Sequence, residues 1–572
     1  MKKSGNRIVI LGIDGLDPGI LSEGLKLKLL PNFKKLKDSG YYSELTTTEP
    51  PQSPVAWASF STGVSPAGHG VFDFIIRNEK DYSLDLVWSV DPRGAYKARP
   101  FWEKFGRMKI PLKILFLPNT FPASPINGRM MAGMGTPDIF GTNGIYTHFT
   151  SGREIRNGHG RVVRVMEGDI MHADIPGPKK ASVPVVIKKS GRRQITIGFQ
   201  KEKVTLRVGE FSDWLRINFR ETIFSSTSGI IRFYLRSLKP LSLYMSPINH
   251  NPENPKVMVS YPKTYSRDLA RRYGLFSTLG MPHNTFALED DVFTEEAFLE
   301  NSQSIFDERK KIFLGELGRF KEGVFFNYVG ATDTIQHMYW RFMGNPKNPY
   351  RNTIMDYYQK VDSLIGETEK LMGEDDAIII VSDHGFGPFD YEFNVNSWLR
   401  DEDLLSLVEG KSIGRELLRD VDWGKTKAYG IGYNGIYINL AGREKNGTVK
   451  KKESTEIKRL VAKKMLGIVN PYTGRRIMKH VYLKEDLGIK TSNHKAPDLF
   501  LGYFKGVRTS WNSAVGGVGK NLFIRRRSKW RGDHLFDSSE VPGVILINKK
   551  VKLYKPKITD ILDIVNKLHL TR

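Results

Sequence analysis

The sequence contains no cysteine. That absence excludes disulfides, iron–sulfur clusters and thiolate zinc sites, so a metal bound here would rest on oxygen and imidazole nitrogen. Long apolar runs are missing too. No stretch reaches the roughly 18 consecutive apolar residues that a membrane span needs. The chain opens Met1-Lys2-Lys3, but the apolar run that follows is short and holds Gly12 and Asp14. It reads as a first β-strand, not as a secretory leader. A cytoplasmic enzyme is the resulting expectation. No nucleic-acid module is present either, whether zinc finger, RNP aromatic pattern or basic heptad helix. A last absence is local: no Arg or Lys lies between Tyr42 and Ile76.

Positive charge is what the chain has in excess, a formal net of +25. A solvated, lysine-rich surface is the plain reading, and attraction to something anionic, a phosphate substrate, a membrane surface or nucleic acid, is the sharper one. Lys450–Lys452 and Arg525–Arg531 are local basic runs, solvated loops under the first reading. At 572 residues the chain exceeds what one core usually serves, which suggests one large domain with insertions or two domains. Its 40% hydrophobic and 26% charged content is that of an ordinary globular protein. Nothing in the sequence fixes an oligomeric state.

Strand-like and helix-like segments alternate over residues 1–140, the pattern of an α/β fold with a largely parallel sheet, and 1–154 is expected to be the first part of that catalytic domain. Ile8–Ile13 and Leu112–Leu117 read as buried strands. Pro31–Asp38 reads as a short helix with Phe33 and Leu36 on one face, stopping near Gly40. The pattern changes over 155–270, where Pro184–Lys188, Arg193–Phe199, Lys203–Val208, Trp214–Phe219 and Ile230–Leu235 alternate as half-exposed antiparallel strands do. This stretch is expected to be a β-rich insertion, a cap or specificity domain. The α/β pattern returns over 271–572: helix Thr294–Arg319, strand Gly323–Tyr328, helix Tyr350–Leu371 and strand Ala377–Val381. Residues 390–530 read as mixed helices and loops. Strand Val544–Ile547 and an amphipathic helix, Ile558–Leu568, close the chain.

Five short motifs place an oxygen or nitrogen ligand where a strand or helix meets a turn. Asp14 ends the first strand, where ligands of parallel α/β sheets gather. A cap on the next helix is its competing role. Asp383-His384 repeats the arrangement after Ala377–Val381. Asp333 and His337, four apart, project from one helical face and can grip one ion. His534 sits in a Gly-Asp-His loop before a buried strand, where a hydrogen-bonded loop histidine is the simpler reading. Ser53, followed by Pro54, reads as N-cap and first helical residue, so it is either only a cap or a hydroxyl among free backbone N–H groups suited to phosphate. Three aspartates, three histidines and one hydroxyl suffice for two divalent ions around a nucleophile, and hard carboxylates mixed with imidazoles suit Zn²⁺ or Mn²⁺. Two ions about 3.5–4 Å apart would clamp an in-line displacement at phosphorus.

Taken in chain order the motifs resemble the alkaline phosphatase superfamily, in particular its type I phosphodiesterase/nucleotide pyrophosphatase branch. The similar segments are Gly12-Ile-Asp14-Gly, Pro50-Pro-Gln-Ser53-Pro-Val-Ala-Trp57 onward to Gly63 with His69-Gly70, Thr332-Asp333…His337, Ser382-Asp383-His384-Gly and Gly532-Asp-His534. Ala496-Pro-Asp-Leu499 and Gly502…Arg508-Thr-Ser-Trp511 resemble a bacterial and archaeal subgroup. The likeness covers 1–140 and 285–550. It implies a three-layer α/β sandwich in which Asp14, Ser53, Asp383 and His384 surround one metal and Asp333, His337 and His534 hold the other. It further implies Ser53 as nucleophile of a phosphodiesterase acting on a small-molecule phosphodiester or pyrophosphate, with Trp57 and Arg508 as candidate substrate contacts. The branch usually carries threonine at the position of Ser53, and often asparagine where this chain has Ala56. Sulfatase chemistry is set aside, because Val55 and Trp57 stand where its conversion motif needs Pro and Arg. Phosphotransfer, phosphomonoester hydrolysis on lipid headgroups, and a basic anion-binding pseudoenzyme are the alternatives. Peripheral contact with an anionic membrane would suit the charge.

Overall fold

A computed structural model describes residues 6–86, 98–152 and 158–570. The Met1-Lys2-Lys3 terminus and the expected boundary at 155 lie outside the described residues. One eight-stranded sheet is built from β1 (Arg7–Ile13), β2 (Tyr41–Leu45), β3 (Leu112–Leu115), β4 (Gly128–Met131), β5 (Ser260–Tyr261), β6 (Gly323–Val329), β7 (Ala377–Val381) and β8 (Gly543–Ile547). Their spatial order is β5-β4-β3-β6-β1-β7-β8-β2. Strands β1 and β7 pair in parallel, as do β3 and β4, while β8 runs antiparallel to both β7 and β2. Residues Ile8–Ile13 and Ala377–Val381 are buried throughout, which is why each reads as an unbroken apolar run and not as an alternation.

The chain divides into two compact units, one of Met1–Ile110, Lys321–Val324 and Tyr328–Arg572, the other of Pro111–Phe320 and Phe325–Asn327. In the first, helix α1 (Pro18–Lys26) is capped by Asp17, whose Oδ1 accepts from the amides of Gly19 and Ile20 at 2.9 and 3.0 Å. Asp14 therefore does not serve as the cap. The helix expected at Pro31–Asp38 spans Pro31–Ser39 and buries Phe33 and Leu36. Its first amides are taken by the Asp362 carboxylate, which accepts from Asn32 and Phe33 at 2.9 and 2.8 Å.

The reading of 390–530 as helices and loops is corrected. Short strands at Ala428–Ile431, Gly435–Ile438, Leu499–Tyr503 and Met478–Leu483 form one four-stranded sheet, and Gly387–Phe393 lies between Gly506–Thr509 and Phe523–Arg525 in another. Strands this short leave little periodicity to read, and their burial depends on a shared core of Val395, Trp398, Tyr429, Ile436, Leu501 and Tyr503.

The second unit contains the antiparallel ladder Glu202–Arg207, Gln194–Phe199, Ser182–Gly191, Ile170–Pro176. Val183, Val185, Ile187, Ile195 and Ile197 alternate inward to make its core. The stretch expected as one strand at Ile230–Leu235 is two, Ser226–Ile231 and Phe233–Leu238. The break falls at Arg232, whose amide turns to Ser246 Oγ at 3.1 Å. Among the described residues no helix is long and apolar enough to cross a membrane.

Candidate metal centre

Register fixes the first two ligands. Gly12 on β1 faces Val381 on β7, so Asp14 and Asp383 leave the sheet side by side, each two residues further on. Gly15 follows with φ +68°, and a Cβ there would lie 3.2 Å from the Asp333 Cα. Only glycine accommodates both the turn and the approach of the next helix. That helix, α3 (Ala331–Tyr339), is bound to the turn through Thr332 Oγ1, which donates to the Asp14 carbonyl at 2.5 Å, and Gln336 Nε2, which donates to the Gly15 carbonyl at 2.6 Å. Asp333 and His337 are thereby carried to the same edge.

Ser53 arrives on α2 (Ser53–Thr62), a helix buried along its whole length. The expected N-cap is corrected by one position. Gln52 is the cap, Ser53 is the first helical residue, and no side-chain cap bond is made. The Ser53 hydroxyl points instead to the cluster, 3.4 Å from Asp14 Oδ1 and 3.2 Å from His384 Nε2. Behind it, Gln52 Nε2 donates to Asp73 Oδ2 at 2.6 Å and to Asn434 Oδ1 at 3.0 Å, which pins the start of the helix. Ser59, another hydroxyl of the helix, is not activated. His69 Nδ1 accepts the Val71 amide at 3.1 Å, so the proton sits on Nε2 and faces Ser59 Oγ at 2.9 Å.

All three site histidines share one hydrogen-bonding arrangement. His337 Nδ1 faces the Gly532 carbonyl at 2.7 Å, His384 Nδ1 the Gly385 carbonyl at 3.1 Å, and His534 Nδ1 the Pro51 carbonyl at 2.8 Å. A carbonyl only accepts, so each Nδ1 carries a proton and each Nε2 of a neutral ring presents a lone pair. Those lone pairs face carboxylate oxygens: His337 to Asp333 Oδ1 at 3.3 Å, His534 to the same oxygen at 3.7 Å, and His384 to Asp383 Oδ2 at 3.1 Å. With the rings neutral, buried Asp333 Oδ1 and Asp383 Oδ2 find no hydrogen-bond donor among the described residues. Lone pairs converging on lone pairs repel unless a cation lies between them, and metal-ligating imidazoles are oriented by just such backbone carbonyls. One ligand atom each from Asp333, His337 and His534 lie within 4.8 Å of one another, as do those of Asp14, Asp333 and His384. Asp333 is common to both groups. The donor set thus fits divalent cations.

The electrostatics match. Burial, then the charges of Asp383 and Asp333, push the Asp14 carboxyl well above the usual range. Burial works against His384, yet Asp383 and then Asp14 push it up to about 9. Burial, followed by the His384 ring, takes His534 down to about 3. Asp333, despite burial, is lowered by His337, His534 and His384. The outer oxygen of Asp14 is fixed by two donors, Tyr328 Oη at 2.7 Å and Trp57 Nε1 at 3.1 Å.

Arg508 is buried. Its Nε donates to Asp533 Oδ2 at 2.7 Å, and the guanidinium lies between the rings of Phe389 and Tyr433, at 4.2 and 4.7 Å. Asp533 in turn accepts the His534 amide at 2.8 Å, so Arg508 braces the loop that carries the last histidine. Sequence reasoning missed Tyr328, Gln52 and Asp73. Tyr328 was within a recognised strand and Gln52 within a recognised motif, but their partners lie elsewhere in the chain.

A family model for type I phosphodiesterase/nucleotide pyrophosphatase matches residues 8–169 and 244–507, more than half of the chain. The chain belongs to this family. As a type I phosphodiesterase/nucleotide pyrophosphatase family member it is a hydrolase of phosphoric esters. Six of the seven residues lie within the matched stretches, and His534 lies beyond them. No curated protein matches the sequence. Among solved structures, phosphonoacetate hydrolase from Sinorhizobium meliloti 1021 with phosphonoacetate is similar at a TM-score of 0.50 and 12% identity, over 99% of this chain and 96% of that one. Murine ectonucleotide pyrophosphatase/phosphodiesterase 5 is similar at a TM-score of 0.43 and 10% identity, over 98% and 95%. The fold is alkaline phosphatase-like, with a largely parallel central sheet and additional antiparallel sheets.

Proposed function

We propose that this chain is a metal-dependent phosphodiesterase that attacks phosphorus with Ser53. The observation that carries the reading is the placement of the Ser53 hydroxyl at the start of a buried helix, 3.4 Å from Asp14 and 3.2 Å from His384, inside the Asp/His cluster. Asp14, Asp383 and His384 would hold one divalent ion and Asp333, His337 and His534 a second, Zn²⁺ or Mn²⁺. Such ions lower the pKa of a coordinated hydroxyl and neutralise phosphate oxygens.

Ser53 Oγ gives up its proton to solvent and forms the bond to phosphorus as the bond to the leaving alcohol breaks on the opposite side. The electron pair leaves with that alcohol oxygen, which takes a proton from solvent. Ser53 then carries a phosphate ester of the remaining alcohol, and water attacks phosphorus to release it and restore the hydroxyl. Trp57 and Tyr328 hold Asp14 in the orientation that faces Ser53. Arg508 braces the His534 loop through Asp533.

Charge supports the diester over the monoester. A phosphomonoester dianion calls for an added cation at the nucleophile, yet no Arg or Lys lies between Tyr42 and Ile76. The guanidinium of Arg508 is already committed to Asp533. Purified protein with Zn²⁺ or Mn²⁺ should therefore show a higher kcat/KM for bis-p-nitrophenyl phosphate than for p-nitrophenyl phosphate. A preference for the monoester would overturn the choice of substrate class.

A further inference from the structure

In the second unit, the hairpin joining Leu215–Arg220 to Ser226–Ile231 ends in Ile223 and Phe224, 78% and 98% exposed. Single exposed apolar residues are ordinary on a protein surface. Two adjacent ones on a braced apex are less so. Here the amides of Glu221 and Thr222 both donate to the Ser225 carbonyl, at 2.9 and 3.1 Å, and the Phe224 amide donates to Thr222 Oγ1 at 3.3 Å. The turn is thus held in shape by its own backbone, and both side chains project from it largely exposed.

Cations surround this apex. Lys256 Nζ lies 3.1 Å from Glu221 Oε1 and 3.3 Å from Ser225 Oγ. Lys179, from the neighbouring turn 177–181, reaches Glu221 Oε2 at 3.1 Å. Lys180 and Arg220 beside them are exposed. Glu221, the one acid in the two turns, has a buried side chain and is taken up by both lysines and by Thr227. The edge is therefore apolar at its tip and cationic around it.

We propose that this edge is a membrane-docking surface, with Ile223 and Phe224 entering the interface of an anionic bilayer and Lys179, Lys180, Arg220 and Lys256 meeting its headgroups. Apolar insertion and headgroup attraction add in such anchors, and a basic edge whose acid is neutralised complements acidic lipid in a way that a neutral surface does not. The inference is independent of the hydrolytic reading.

Full-length protein is tested by co-sedimentation with phosphatidylcholine vesicles, with and without phosphatidylserine. Binding is expected only with phosphatidylserine, and it should weaken as salt is raised. Ile223→Ser/Phe224→Ser should reduce it by roughly tenfold or more, and Lys180→Gln/Arg220→Gln by a few-fold. An unchanged unfolding temperature establishes that these surface variants are folded. Phe224→Trp should give emission that shifts to the blue on addition of the anionic vesicles. Absence of vesicle binding, or binding indifferent to the Ile223/Phe224 pair, would overturn the proposal. So would concentration-dependent self-association that the Ile223→Ser/Phe224→Ser variant loses, because the apex would then be a protein contact.

Discussion

The imidazoles of His384 and His534 lie parallel, with centroids 3.6 Å apart and 10° between their planes. Both rings send Nδ1–H to a backbone carbonyl, yet their proton affinities are driven in opposite directions. Burial and the His384 ring hold His534 down to about 3, whereas Asp383 and Asp14, against burial, push His384 up to about 9. Stacked at this distance the two rings cannot both carry charge cheaply, so at neutral pH His384 is the protonated one. In the metal-free protein that proton stands between Nε2 and Asp383 Oδ2, 3.1 Å apart, where a divalent cation would replace it.

Uptake of Zn²⁺ or Mn²⁺ by metal-stripped protein should therefore release protons at neutral pH. His384 must lose its proton, so affinity should rise with pH up to about 9 and fall steadily below it. Calorimetry in buffers of different ionisation enthalpy measures the release. Affinity that does not change between about pH 6 and about pH 9 would contradict this account of the site.

Two alanine variants separate the proposed roles. Ser53→Ala should lower kcat by roughly 10³-fold or more while metal content stays close to wild type, because Asp14, Asp383 and His384 remain. His337→Ala should instead lower metal content, since it removes one of the three donors of the Asp333/His337/His534 group. Metal analysis alongside turnover distinguishes them. Equal metal loss in both variants would place Ser53 among the structural ligands only.

Tyr328 offers a test of how Asp14 is held. Tyr328→Phe removes one of the two donors to Asp14 Oδ2 and leaves the Trp57 bond at 3.1 Å. Loss of such an orienting partner typically costs about 10- to 100-fold in activity or metal affinity, and that is the expected range here. The double variant with Trp57→Phe should be worse than either alone. An unchanged kcat in Tyr328→Phe would mean that Trp57 suffices.

The convergence of these residues was legible in the sequence because each motif joins a recognisable element to a ligand-type residue: Asp14 and Asp383 after apolar strands, Asp333 and His337 at helical spacing. The structure gathers Asp14, Asp333, His337, His384 and His534 in two groups that share Asp333, and it sets Ser53 and Asp383 against His384 at 3.2 and 3.1 Å. What makes the histidines fit a cation was not legible. The carbonyls of Pro51, Gly385 and Gly532 carry no side-chain signature, and only the folded chain puts them against Nδ1. The same limit explains the small strands of 390–530, such as Ala428–Ile431, which are too short for alternation to show. It explains Arg508 as well, whose partner Asp533 is set by the parallel pairing of Gly506–Thr509 with Gly387–Phe393 and by the bridge from Gly387 to Asp533.

Glu49 gives a prediction about stability. The residue lies four positions ahead of Ser53, and its Oε2 accepts the Ser538 amide at 2.9 Å. Burial, then the Asp537 carboxylate, raise its pKa from 4.5 to about 8. Between those values the folded protein keeps a proton that the unfolded chain releases. Its contribution is therefore complete below 4.5 and is lost as pH rises through about 8. Glu49→Gln keeps an acceptor for Ser538 and never ionises, so its melting temperature should gain on that of wild type as pH climbs through this window. A difference that stays constant with pH would remove Glu49 from the account.

The most direct test of the central claim is to trap the adduct. Wild-type protein turning over bis-p-nitrophenyl phosphate is quenched in acid, digested and analysed by mass spectrometry. The account predicts a p-nitrophenyl phosphate ester on the peptide that contains Ser53, absent from Ser53→Ala. An adduct on Thr48 or Ser59, or a Ser53→Ala variant that turns over at the wild-type rate, would contradict it.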